Sequence, residues 1–200
     1  MRDLFRGVNV VLLIVSVILF FACGGGGQTG SIENVKLRSE SAELSLDELM
    51  QMVKDKGLAC PGDGIKGKLK HSYEPGELRG VKVVNDHATG LTWMQAVHEE
   101  RMDWKEAEAY VAKANEEQLA GISDWRMPTV EELLSLMESQ KKNDYFIASV
   151  FHEELLAPWT SDVVKDAFAG AWFVDFVEGK AVDGNRAAGL GHVRLVRTME

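Results

Sequence analysis

Three times along the chain a Ser, Asp or Thr is followed three positions later by Glu, just where an apolar stripe begins: Ser45 and Glu48, Asp103 and Glu106, Thr129 and Glu132. Such a pair closes a capping box, in which each side chain accepts the other residue's backbone N–H and fixes a helix start. The stripes that follow are Leu46, Leu49, Met50 and Val53; Trp104, Ala107, Val111 and Ala114; and Val130, Leu133, Leu134 and Met137. Each repeats at helical spacing. Gly57 stands where the first helix would end. Between and after the helices lie short alternating runs that read as strands: "VKVVND" and "LTWM" joined by "HATG", then "APWTSD", "GAWFVDFVEGKAV" and "HVRLVRT". In the middle run Trp172, Val174 and Phe176 would share one face, with "EG" as the turn. Helices set apart from groups of mainly antiparallel strands define an α+β layout.

The first residues belong to a different regime. Arg2 and Arg6 precede an uncharged apolar run, Val8 to Ala22. At about 1.5 Å per residue this run reaches about 22 Å, short of the ~30 Å hydrocarbon core of a bilayer. It fits the core of a secretory signal better than a membrane span. Ala22–Cys23 at its end resembles a bacterial lipobox, although Phe20 and Phe21 stand where Leu and a small residue are usual. The expectation is that residues 1–22 are removed and that lipidated Cys23 tethers the protein to the cell envelope. Gly24 after the cysteine favours the outer membrane. Residues 23–44 read as a flexible tether, 45–79 as a short helix with an irregular linker, and 80–200 as the compact domain. Cys60 is then a lone thiol, and its simplest reading is a small buried apolar residue.

Several chemistries are excluded or weakened. A net charge of -9 is the wrong sign for tracking phosphates or anionic head groups. "GDGIKG" has the glycine spacing of a dinucleotide loop but lacks the strand before it and the helix after it. "HEERM" and "HEELL" lack the second histidine of a zinc site, and neither G-x-S-x-G nor a Walker loop occurs.

The segments "VVNDHATGLTWM", "WKEAEAYVAKAN", "LAGISDWRMPTVEELLSL", "PWTSD", "AWFVDF" and "VRLVR", in this order, resemble the Lcl C-terminal domain family over about residues 79–197. The resemblance implies a C-type-lectin-like fold, distantly similar to the scaffold of formylglycine-generating enzymes. The oxidase chemistry of those enzymes depends on paired cysteines, and none occurs from Gly80 onward. The expectation is therefore a non-catalytic envelope lipoprotein with a lectin-like binding or adhesion domain for glycan or protein ligands. An accessory envelope protein that binds another protein is the alternative, and an enzyme on the formylglycine-type scaffold the weakest reading. No cofactor is expected. The E-P-N, Q-P-D and W-N-D runs through which lectins of this fold hold calcium are missing, so a calcium site would have to be assembled from dispersed Asp and Asn.

Within that frame the dense "WRMPT" stretch reads as a structural signature. Trp125 fills the core beneath the helix that Thr129 opens, Pro128, Thr129 and Glu132 set the helix start, and Arg126 bonds carbonyls or a carboxylate such as Asp124 or Glu131. The five tryptophans are assigned to packing. Recognition is expected on the long run Gly179 to Gly191, read as a small, mobile loop. In it Asp183, Asn185 and Arg186 offer an acceptor anion, an amide and a guanidinium fork.

Overall fold

The computed structural model describes residues 35–151 and 157–199. The export segment and Cys23 lie outside the described residues.

All three capping boxes close. Backbone N–H groups at the third helical position reach Ser45 Oγ at 3.2 Å, Asp103 Oδ1 at 2.8 Å and Thr129 Oγ1 at 3.2 Å. The returning glutamates accept from Ser45, Asp103 and Thr129 N at 2.8, 2.9 and 2.9 Å. They start α1 (Leu46–Lys56), α2 (Trp104–Glu116) and α3 (Val130–Ser135). Gly57 ends α1 in the left-handed region at φ 64°. The third helix stops earlier than its stripe suggests. Met137, read as its fourth apolar position, is the first residue of a strand.

Among the described residues ten strands follow: β1 (Glu43–Leu44), β2 (Tyr73–Leu78), β3 (Val81–Asp86), β4 (Leu91–Met94), β5 (Met137–Lys142), β6 (Tyr145–Ile147), β7 (Trp159–Val164), β8 (Gly170–Asp175), β9 (Lys180–Asn185) and β10 (Val196–Thr198). One sheet has the order β1-β7-β8-β9, a second β10-β4-β3-β2, and β5 pairs with β6. Every pairing is antiparallel except β1 on β7. The protein is an α+β fold.

The sheets separate two apolar cores. On β8, Trp172 and Val174, with Phe176 just beyond, face the core that holds α1 and α3, while Ala171 and Phe173 face the one beneath α2. Val84 and Val83 on β3, and Val196 and Leu195 near the end of the chain, divide in the same way. Successive side chains of a strand point to opposite faces, so alternating apolar residues fill both sides at once.

Three sequence expectations give way here. Residues 73–78 are not irregular: β2 pairs with β3 along its whole length, from Tyr73 opposite Asp86 to Leu78 opposite Val81. Pro75 and Gly76 look like a turn in the sequence, yet proline is tolerated on an edge strand, where one side of the ladder is unpaired. The tether is in place at least from residue 35. Val35 N donates to Ala88 O at 2.9 Å, Leu37 is buried in the first core, and Glu43–Leu44 joins β7. The stretch Gly179–Gly191 is also not one loop, because Lys180–Asn185 is the edge strand β9. Its glycines accommodate Trp159. A Cβ on Gly184, Gly189 or Gly191 would come within 2.9, 3.2 or 2.8 Å of the indole.

Among the described residues no helix is long and apolar enough to cross a membrane.

Candidate functional site

The connection from β7 to β8 turns through Asp166, at a left-handed φ of 61°, and carries Phe168. Phe168 is 104% exposed, more than any other large apolar residue described. Its neighbours Asp166 and Ala167 are exposed too, so the ring has no core to enter. Asp183 and Asn185 sit two residues apart on β9, which places both on the same face of an edge strand. With Ala167, Phe168 and Ala169 they line a shallow depression of about 290 Å³. Asn185 Oδ1 accepts Ala187 N at 2.9 Å, which leaves the amide NH₂ for a ligand.

Arg186 does not join them. Its guanidinium lies 5.3 Å from the centroid of the Trp104 ring, and its backbone bridges Ala169 O and Trp104 N. Trp104 in turn donates Nε1–H to Thr160 O at 2.8 Å. The structure therefore brings Asp183 and Asn185 together and replaces the expected guanidinium by an aromatic ring. Phe168 was not singled out from sequence. Its signal was a lone large apolar residue in "KDAFAG", a turn between two strand runs.

The "WRMPT" residues occupy a different region. Trp125 is buried in the core beneath α2 and donates Nε1–H to Leu119 O at 2.9 Å. Leu133 and Leu134 lie in the other core, so this tryptophan does not pack beneath α3. Arg126 forms a two-pronged pair with Glu132, both contacts at 2.6 Å, rather than with Asp124 or Glu131. Asp124 pairs with Arg197 at 2.8 Å, and Glu131 accepts Arg38 N at 3.1 Å and lies 3.3 Å from Lys56 Nζ. Pro128 O accepts Ser161 N at 2.8 Å. Thr129 Oγ1, besides capping α3, donates to Arg38 O at 2.9 Å.

A larger hollow of about 400 Å³ is lined by His98, Glu99, Glu100 and Tyr110 over Val97 and Val193. Its histidine is already engaged. The ring stands edge-on to Tyr110 at 4.5 Å, and Nδ1 accepts Glu100 N at 3.2 Å. The hollow brings together the like charges of Glu99 and Glu100 but no fully exposed apolar ring, and that ring is what makes the Phe168 face the stronger candidate although the hollow is larger. Among the described residues no group of three or more His, Cys, Asp or Glu could hold a metal ion. Cys60 is buried and its Sγ–H donates to Asp63 Oδ2 at 3.1 Å. Burial, reinforced by Asp63, pushes this thiol up to about 12, far from the thiolate a nucleophile needs.

Mainly antiparallel sheets, three capped helices and an exposed hairpin face thus make up an α+β domain with its candidate groups on the surface. Residues 82–197 match the model of the Lcl C-terminal domain, and the chain belongs to that family. The match opens inside β3 and closes inside β10, so β1, α1 and β2 precede it. No curated protein matches the chain.

Proposed function

We propose that the protein is a non-catalytic envelope lipoprotein that uses its Lcl C-terminal domain, a C-type-lectin-like scaffold, to bind extracellular glycan or protein ligands. The carrying observation is Phe168, a fully exposed ring at a hairpin tip beside Asp183 and Asn185. An aromatic face packs on the C–H side of a sugar or enters a partner's pocket. Burying a Phe side chain contributes about 1.5–3 kcal/mol. Asp183 accepts hydrogen bonds and Asn185 donates them, so hydroxyl groups beside the ring can be oriented as well as covered. Lipid on Cys23 would hold this face at the membrane, and Gly24 favours the outer membrane.

The test is a glycan array probed with the parent and with Phe168→Ser, Asp183→Ala and Asn185→Ala. None of the three side chains is buried, so the melting temperatures should stay together. Loss of a bound glycan by about tenfold or more in Phe168→Ser would support the reading. Undiminished binding by all three variants would move the site elsewhere. Anchoring is tested separately: Cys23→Ala should lose radiolabelled palmitate, and a variant that still takes up label ends that part of the proposal.

A further inference from the structure

Among the described residues no Lys or Arg lines the hollow between α2 and the segment 94–100. After β4 the chain runs beside residues 193–195: Met94 N donates to Leu195 O at 3.0 Å and His98 N to Val193 O at 2.8 Å. Val97, Val193 and Leu195, all buried, make the floor. Tyr110 comes in from α2 and meets His98 edge-on, with ring centroids 4.5 Å apart, to form an aromatic wall. Glu99 and Glu100 stand exposed at the rim. The open space is about 400 Å³, enough for a small organic molecule.

What these groups leave unsatisfied defines the occupant. Among the described residues neither glutamate joins an ion pair. The next residue, Arg101, gives Nη2–H to Leu190 O and does not line the hollow. Two like charges over an apolar floor focus a negative potential in the cleft. No third His, Cys, Asp or Glu completes a metal-holding group among the described residues, and a metal ion would leave the floor uncovered. His98 Nε2 and Tyr110 Oη have no partner among the described residues, and both keep contact with solvent. Burial raises the Tyr110 hydroxyl above its ordinary range, so it stays protonated and able to donate. An edge-on pair leaves at least one ring with both faces clear of the other, and an aromatic face attracts an organic cation.

We propose that this hollow binds a small organic ammonium ion with an apolar body. The body covers Val97, Val193 and Leu195 and lies against the aromatic wall, while Glu99 and Glu100 balance the charge from the rim. Because both carboxylates are exposed, the ammonium group keeps part of its water and avoids the cost of full burial. A neutral molecule of the same shape covers the floor but leaves the glutamates unbalanced, and an anion is repelled by them. The floor thus sets affinity and the rim sets selectivity. The site is separate from the Phe168 face and does not rest on its function.

The experiment adds benzylammonium chloride, benzyl alcohol or sodium benzoate to the ¹³C-labelled full chain at equal ionic strength and follows the ring resonances of His98 and Tyr110. The three probes carry the same ring and differ in charge. Saturable shifts of both residues are expected with benzylammonium, at a Kd at least about fivefold below that for benzyl alcohol, and none with benzoate. Replacing both glutamates together, Glu99→Gln with Glu100→Gln, should weaken benzylammonium to the level of the alcohol and leave the alcohol unaffected. Both side chains are exposed, so the melting temperature should hold. No saturable shift with benzylammonium, or an affinity for the alcohol or benzoate equal to it, overturns the proposal. So does a double glutamine variant that binds benzylammonium as tightly as the parent.

Discussion

Asp162 collects more hydrogen bonds than any residue in the predicted site. Fully buried, it accepts Arg38 Nη1 and Nη2 at 2.8 Å each, Ala42 N at 2.6 Å and Val130 N at 2.7 Å. It therefore ties the strand-like lead-in, the start of α3 and β7 into one knot. Replacing it by Ala takes both carboxylate contacts from Arg38, which keeps only the Glu40 carbonyl and Glu131 at 3.8 Å, and strands two backbone donors; this should cost about 3–5 kcal/mol, a large part of a typical domain stability of ~5–15 kcal/mol. Urea denaturation checks this, and a midpoint equal to the parent's would show that the knot carries no stability. Asp86 gives a pH-dependent counterpart. Burial alone would raise its carboxyl, but hydrogen bonds from His71, Thr89 and Ser72 outweigh it and hold the group below the usual range. A depressed carboxyl stabilises the fold above its unfolded value of about 4 and loses that contribution as pH falls through the folded one. Melting temperature should thus drop on acidification below about pH 4, and Asp86→Asn should show a shallower drop. An unchanged acid slope in that variant would refute the assignment. At this scale the sequence was only partly legible. That Arg126 needs a carboxylate follows from its surroundings, but the choice of Glu132 does not. Glu132 Oε2 serves the capping box and the ion pair at once, and spacing cannot reveal a shared oxygen.

At the scale of elements, what was legible is what is local. A capping box joins residues three apart, so three helix starts could be read from the chain, and the face shared by Trp172, Val174 and Phe176 follows from strand periodicity. What was misread depends on distant partners. β2 is a strand because β3 pairs with it, in spite of Pro75 and Gly76. The glycines from 184 to 191 suggested a mobile loop, but they are set against an indole that enters from β7, and no composition rule shows that. The glycine assignment is testable by adding one methyl group. A Cβ on Gly191 would lie 2.8 Å from Trp159 Nε1 and 3.0 Å from Ala157 O, and Trp159 Nε1 is already held by Met102 O at 2.9 Å. Gly191→Ala and Gly184→Ala should each cost about 1–3 kcal/mol by overpacking. Ala188→Ser, exposed in the same stretch, should stay within about 0.5 kcal/mol. Denaturant midpoints of the three would separate close approach from flexibility, and glycine variants as stable as the parent would restore the loop reading.

For the whole molecule, the issue is where the folding unit begins. The family match starts at residue 82, and the sequence suggested a domain from residue 80. The packing reaches further back. Leu49 and Val53 of α1, with Leu58, Ala59 and Cys60 after it, share a core with Leu133, Leu134 and Val174. Gly62 N donates to Gly179 O at 2.8 Å and Gly67 N to Ser139 Oγ at 2.9 Å, which ties the linker to the turn before β9 and to β5. The charged groups are more demanding still. Without residues 35–79, Asp162 loses Arg38 and the Ala42 amide, Glu131 loses Arg38 and Lys56, and Asp86 loses His71 and the Ser72 amide. Three buried carboxylates would then each lose partners, Asp162 keeping only neutral ones such as the Val130 amide and Asp86 those of Thr89 and Ala88, while β3 lost its neighbour β2. Each such loss costs several kcal/mol in a state whose total margin is only ~5–15 kcal/mol. The fragment 80–200 should therefore lack a cooperative melt and show little near-ultraviolet circular dichroism, whereas 35–200 should keep both. Amide exchange offers a finer measure: β8 and β4, central in their sheets, should be protected in the longer fragment and exchange rapidly in the shorter one. A fragment 80–200 that melts cooperatively within a few degrees of 35–200 would show that the upstream segment is an appendage and that the family boundary is also the boundary of the fold.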